Sequence, residues 1–98
     1  MTIRAQLRTH GRRIRGRFPR FAGRNEILYR TDRSGNITHY QEYDKDGDPV
    51  KRVDLTGRSH GTVPTPHVAE FERHITASGK AFLKLPKTVR PARPDEIP

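Results

Sequence analysis

The stretch Ile27-Leu28-Tyr29-Arg30-Thr31-Asp32-Arg33-Ser34-Gly35-Asn36-Ile37-Thr38-His39-Tyr40 decides the fold. Ile27 to Arg30 is a short run of β-favouring residues, and Asp32-Arg33-Ser34-Gly35 puts Asp first and Gly fourth in a turn. Asn36 to Tyr43 then predicts the returning strand. Asp44-Lys45-Asp46-Gly47 repeats the turn twelve residues later, and Val50 to Leu55 predicts a third strand, giving an antiparallel meander. Within the second strand Ile37, His39 and Gln41 share one face, while Thr38, Tyr40 and Glu42 share the other.

Downstream, Val68 to Ile75 reads as a fourth strand or a short helix, Val68 and Phe71 fitting helical spacing, with the strand favoured; Thr76 to Lys80 predicts a turn, Ala81 to Leu85 a last strand, and Pro86 onward an extended tail. Upstream, Ile3, Leu7, His10 and Ile14 recur at helical spacing, but Gly11 and Gly16 each cost about 1 kcal/mol inside a helix, so the segment reads as frayed or partner-dependent. Phe18 to Gly23 reads as a linker whose two Phe dock on the body. The expected fold class is α+β: a small antiparallel sheet of four to five strands with little helix over residues 25–98, preceded by a basic arm, residues 1–24.

Ninety-eight residues allow one small domain with a thin core. The absence of cysteine excludes disulfides, zinc–thiolate sites and cysteine nucleophiles. No apolar run approaches the roughly 18 residues of a membrane span, and the N-terminus carries no signal peptide pattern. Charge is unevenly placed: residues 1–24 hold eight arginines and no acid, so eight of the net +9 charges sit in the first quarter. Arg12, Arg13, Arg15 and Arg17 form the densest part of this arm, which suits polyanions without specifying sequence.

The chemistry is densest in Gly57-Arg58-Ser59-His60-Gly61-Thr62-Val63-Pro64-Thr65-Pro66-His67. Its glycines and prolines predict a shaped loop presenting side chains from a rigid scaffold. Metal-free RNA cleavage needs a base for the 2′-hydroxyl, an acid for the 5′-oxygen and cations for the phosphorus charge; His60, His67 and Arg58 supply that inventory. Lys51, Arg52 and Thr65 are candidate phosphate contacts and Tyr40 a candidate base-stacking ring. Zinc held by His60, His67 and His74 lacks a completing ligand. Asp44 to Asp48 opens like a calcium loop, but its Gly comes fourth and Leu55 stands where the bidentate Glu belongs.

The runs Leu28-Tyr29-Arg30-Thr31-Asp32, Gly35 to Tyr40, Val53 to Gly61, Pro64 to Val68 and Arg90 to Pro98 together resemble the type 24 group of bacterial polymorphic toxin C-terminal domains. The likeness covers about residues 26–98 and is most specific in Gly-Arg-x-His-Gly…Pro-x-Pro-His. It implies a domain used against competing bacteria, delivered into the target-cell cytoplasm at the tip of a larger secreted protein and blocked by a cognate immunity protein. It also implies a barnase/colicin-like, metal-independent ribonuclease without cofactor, leaving a 2′,3′-cyclic phosphate. His60 and His67 would then be the acid/base pair and Arg58 the phosphate clamp. Two other readings remain at this level: a non-catalytic nucleic-acid-binding protein that uses the arginine arm, and a structural hairpin-repeat domain suggested by the Tyr-x-x-Asp-x-x-Gly-x-x-Thr unit from Tyr29 to Thr38.

Overall fold

A computed structural model describes residues 2–71, 73–75, 81–83 and 88–98. Helix α1 (Ile3–His10) leads into β1 (Gly11–Arg13), followed by β2 (Ile27–Thr31), β3 (Ile37–Tyr43), β4 (Pro49–Asp54), β5 (His67–Glu70), β6 (Arg73–Ile75), β7 (Ala81–Leu83), β8 (Thr88–Pro91) and a 3-10 turn (Pro94–Glu96). Six strands form one sheet in the order β1-β2-β3-β4-β5-β8; β6 and β7 form a separate two-stranded ribbon. All pairings in the main sheet are antiparallel except β1 with β2.

The meander forms as its turns predict, because both turns use one device. Asp32 Oδ1 accepts from the N–H groups of Ser34 and Asn36, and Asp44 Oδ1 accepts from those of Asp46 and Asp48. The carboxylate stands in for a backbone acceptor, while Gly35 and Gly47 take positive φ. The Asp44 side chain is therefore committed to its own turn.

The sheet is mixed and wider than expected, for reasons at both ends of the chain. In the N-terminal segment Thr2 caps α1 by accepting from the Ala5 N–H, and Leu7 is buried with Ile27, Tyr40, Val53 and Val68. Full burial of a leucine contributes about 1.5–3 kcal/mol, enough to seat a two-turn helix that would fray alone. Gly11 is not a helix-interior residue but the C-cap, and a Cβ there would collide with the Leu7 carbonyl. Residues 3–13 thus share a core with the meander rather than forming a free arm.

At the other end, the expected tail is strand β8, paired with β5, and its closing turn buries Glu96. Glu96 accepts from Arg90 Nη1 and Nη2 (2.7 and 2.8 Å), Lys51 Nζ (2.9 Å) and the Arg93 N–H (2.9 Å). Tyr40 donates its hydroxyl to the Glu96 carbonyl at 2.6 Å. The expected strand Val68–Ile75 divides at Phe71, its second half turning away to pair with β7. The turn expected at 76–80 and the end of the last strand at 84–85 lie outside the described residues.

Candidate functional site

Strand alternation sends Tyr40, Val53 and Val68 to the helix-covered face and their neighbours to the opposite one. The register then aligns four of those neighbours, one per strand. Arg30 pairs with His39, His39 with Asp54, and Asp54 with His67, forming a continuous row across β2, β3, β4 and β5. Arg52 lies two residues before Asp54, on the same face.

Asp54 organises the row. Its Oδ1 accepts from Arg52 Nε at 2.7 Å and its Oδ2 accepts from His67 Nε2 at 3.1 Å. The carboxylate requires the Nε2 proton, so neutral His67 carries its lone pair on Nδ1. That Nδ1 is buried and has no hydrogen-bond partner among the described residues. The His60 ring stands edge-on to the His67 ring, with centroids 6.2 Å apart. His60 itself is exposed, on a loop closed by mutual backbone hydrogen bonds with Val63 and joined to β5 through a cis Thr65–Pro66 bond.

Burial lowers the His39 pKa from its ordinary value; Arg30, Arg52 and His67 lower it further, and only Asp54 opposes them. His39 is therefore mostly neutral near pH 7. Burial, with the Arg52 charge behind it, also lowers Arg30, which nevertheless stays a cation. The segment between β1 and β2 crosses onto this face. Arg30 Nη1 donates to the Gly16 carbonyl at 2.9 Å, and the Phe18 ring lies 5.1 Å from the Arg30 guanidinium carbon and 5.4 Å from that of Arg52. Tyr43 donates to the Pro19 carbonyl at 2.6 Å. Of the two Phe expected to dock, Phe18 does so and Phe21 remains 61% exposed.

The other sequence-selected residues divide. Arg52 joins the row, and Thr65 holds the loop by donating to the Gly57 carbonyl at 3.4 Å. Arg58 is exposed and makes no ion pair among the described residues. Lys51 and Tyr40 are on the opposite face, Lys51 bonded to Glu96 and Glu42, Tyr40 fully buried. Arg12 pairs with Glu26 at 2.6 Å; Arg13, Arg15 and Arg17 are exposed. Among the described residues no three His, Asp or Glu side chains converge to hold a metal. The His74 side chain lies outside the described residues. Asp54, Arg30 and His39 emerge only from the register; their shared face was readable from alternation, their alignment was not.

A family model described as Bacterial toxin 24 matches residues 4–98. The match extends well upstream of residue 26, taking in the helix and the parallel strand. No curated protein and no solved structure matches the chain.

Proposed function

The chain belongs to the bacterial toxin 24 family, and from that premise we propose that it is a metal-independent ribonuclease, with the His60–His67–Asp54 constellation as its catalytic centre. The observation that carries this reading is the cross-strand row Arg30–His39–Asp54–His67 with His60 against its end. It joins an oriented base, a second imidazole and fixed guanidiniums on one face.

On this reading His67 Nδ1 takes the proton of a ribose 2′-hydroxyl, Asp54 steadying the imidazolium that forms. The 2′-oxygen attacks phosphorus, the bond from phosphorus to the 5′-oxygen breaks, and His60 gives that oxygen its proton. The products are a 2′,3′-cyclic phosphate and a 5′-hydroxyl end. Arg30 and Arg52 counter the charge on the phosphoryl oxygens, with Arg58 as a further clamp on the loop. Because Nδ1 is buried, this reading requires the loop bearing His60 to shift before substrate reaches it. The barnase/colicin-like relationship and a cognate immunity protein belong to the same proposal, as does delivery to a target cell.

The test is incubation of the purified chain with total bacterial RNA in excess EDTA, beside His60→Ala, His67→Ala and His39→Ala. Cleavage by the parent and loss in the first two variants is the expected result. Full activity in both would overturn the site, and retention in His67→Ala with loss in His39→Ala would move the base to β3. Intact RNA in every lane, with binding at low salt, would favour the non-catalytic reading.

A further inference from the structure

We propose that the cleft between α1 and the sheet, lined by Arg4, Arg8 and Arg13, binds the phosphodiester backbone of RNA flanking the cleaved bond; RNA as its occupant rests on the ribonuclease reading. Arg4 and Arg8 are one turn apart on α1 and so share a helix face, and Arg13 reaches the same cleft from β1, opposite Tyr29. The cleft measures about 570 Å³, and among the described residues no Asp or Glu lines it. That volume, within the range of single small-ligand sites, suits one or two nucleotides rather than a duplex.

Arg4, Arg8 and Arg13 are set apart by their convergence on one concavity, since other exposed arginines such as Arg15, Arg17 and Arg58 also make no ion pair among the described residues. Arg12, Arg52, Arg90 and Arg93 each have a carboxylate within 3.2 Å or less. Arg4, Arg8 and Arg13 are exposed and make no ion pair among the described residues. Three cations around one concavity repel each other unless an anion enters, and guanidiniums offer the paired donors that phosphate oxygens accept.

Position links the cleft to the histidine row. Its floor includes Thr31, Leu55 and Pro66, the immediate neighbours of Arg30, Asp54 and His67. Alternation turns these neighbours to the opposite face at the same end of the sheet. A single strand leaving the row over that end enters the cleft without crossing the sheet.

The probe is a single-stranded 2′-O-methyl oligonucleotide, which cannot be cleaved by attack of its own 2′-oxygen, so binding is measured whether or not the chain cuts RNA. The triple variant R4Q/R8Q/R13Q is compared with R20Q/R24Q/K45Q, which removes equal charge from exposed residues outside the cleft. Losing three single-strand phosphate contacts lowers the salt slope of log K by about 2, an upper limit of about 50-fold in affinity at 0.15 M salt. The expected result is a loss of at least ten-fold for the cleft variant, a much smaller loss for the control, and unchanged melting temperatures for both. Equal losses, or none in the cleft variant, overturn the proposal; retained oligonucleotide binding would leave an acidic protein as the cleft's occupant. A dinucleoside monophosphate substrate, too short to span both faces, should be cut equally by parent and cleft variant. Absence of all cleavage by the parent sinks the ribonuclease reading while the binding comparison still decides the cleft.

Discussion

Replacing Asp54 by Asn tests the catalytic reading at its most exposed joint. Asp54 accepts two hydrogen bonds, one per oxygen, from Arg52 Nε at 2.7 Å and His67 Nε2 at 3.1 Å. Asparagine keeps one oxygen, and the shorter, always charged guanidinium bond claims it. The amide NH2 then faces His67 Nε2, which has to accept instead of donate. The ring proton moves to Nδ1, removing the lone pair proposed to take the 2′-hydroxyl proton. In serine hydrolases the same tautomer error costs about 10⁴ in kcat, or about 5.5 kcal/mol of barrier. The expected loss here is therefore between 10³ and 10⁴ in kcat, with a much smaller change in KM because the arginines remain. Initial rates on a fluorogenic RNA oligonucleotide measure the first quantity, and nitrogen chemical shifts of the His67 ring report the tautomer directly. A kcat within about three-fold of the parent, with the tautomer shown to have flipped, would refute His67 as base.

Two further predictions concern the scaffold. Glu96→Gln should destabilise by about 2–4 kcal/mol at pH 7, since the buried Lys51 and Arg90 contacts lose their shared anion while Glu42 and Glu70 still neutralise part of that charge. The Arg90 hydrogen bonds, against the opposing effect of burial, hold the Glu96 carboxyl far below the usual carboxylate range. A depressed carboxyl contributes stability above its unfolded pKa of about 4.3 and loses it as pH falls towards the folded value. The gap between parent and variant in urea melts should thus be constant above about pH 5.5 and narrow at pH 3; a gap that does not narrow would contradict the assignment. Leu7→Ala should cost about 2–5 kcal/mol by emptying the core position under α1, read as a lower urea midpoint with similar slope; a cost below about 1 kcal/mol would return residues 3–13 to the status of an arm.

What the sequence made legible is local. Asp–x–x–Gly twice at one spacing defined both hairpin turns, because each Asp closes its own turn without help from distant residues. The loop histidines stood out because glycine and proline around them have conformational meanings independent of context. The parallel strand β1 was illegible, since three residues Gly-Arg-Arg carry no strand pattern and pair only because Leu7 docks the helix beside them. Strand β8 was hidden by its prolines: Pro91 ends it at an edge where a missing N–H is harmless, a position indistinguishable from a tail without its partner. Lys51 and Arg52 looked equivalent as adjacent cations; one step of alternation sends the first to Glu96 and the second to Asp54.

The two faces are mechanically joined through β5. His67 lies on the face of the Arg30–His39–Asp54 row and Val68 on the helix-covered face, so a slip of one residue would exchange the two. Two pairings prevent that slip: β4 on one side, through Asp54 opposite His67, and β8 on the other, through Pro91 opposite His67. β8 is an edge strand of four residues, and its hold depends on the Arg90–Glu96–Lys51 cluster behind it and on Ala92 donating to the Pro66 carbonyl at 3.0 Å. The buried carboxylate on the core side thus fixes the register that sets His67 against Asp54. Its network is costly to desolvate but has one well-defined arrangement, which is what the base proposed at His67, positioned by backbone pairing, would require.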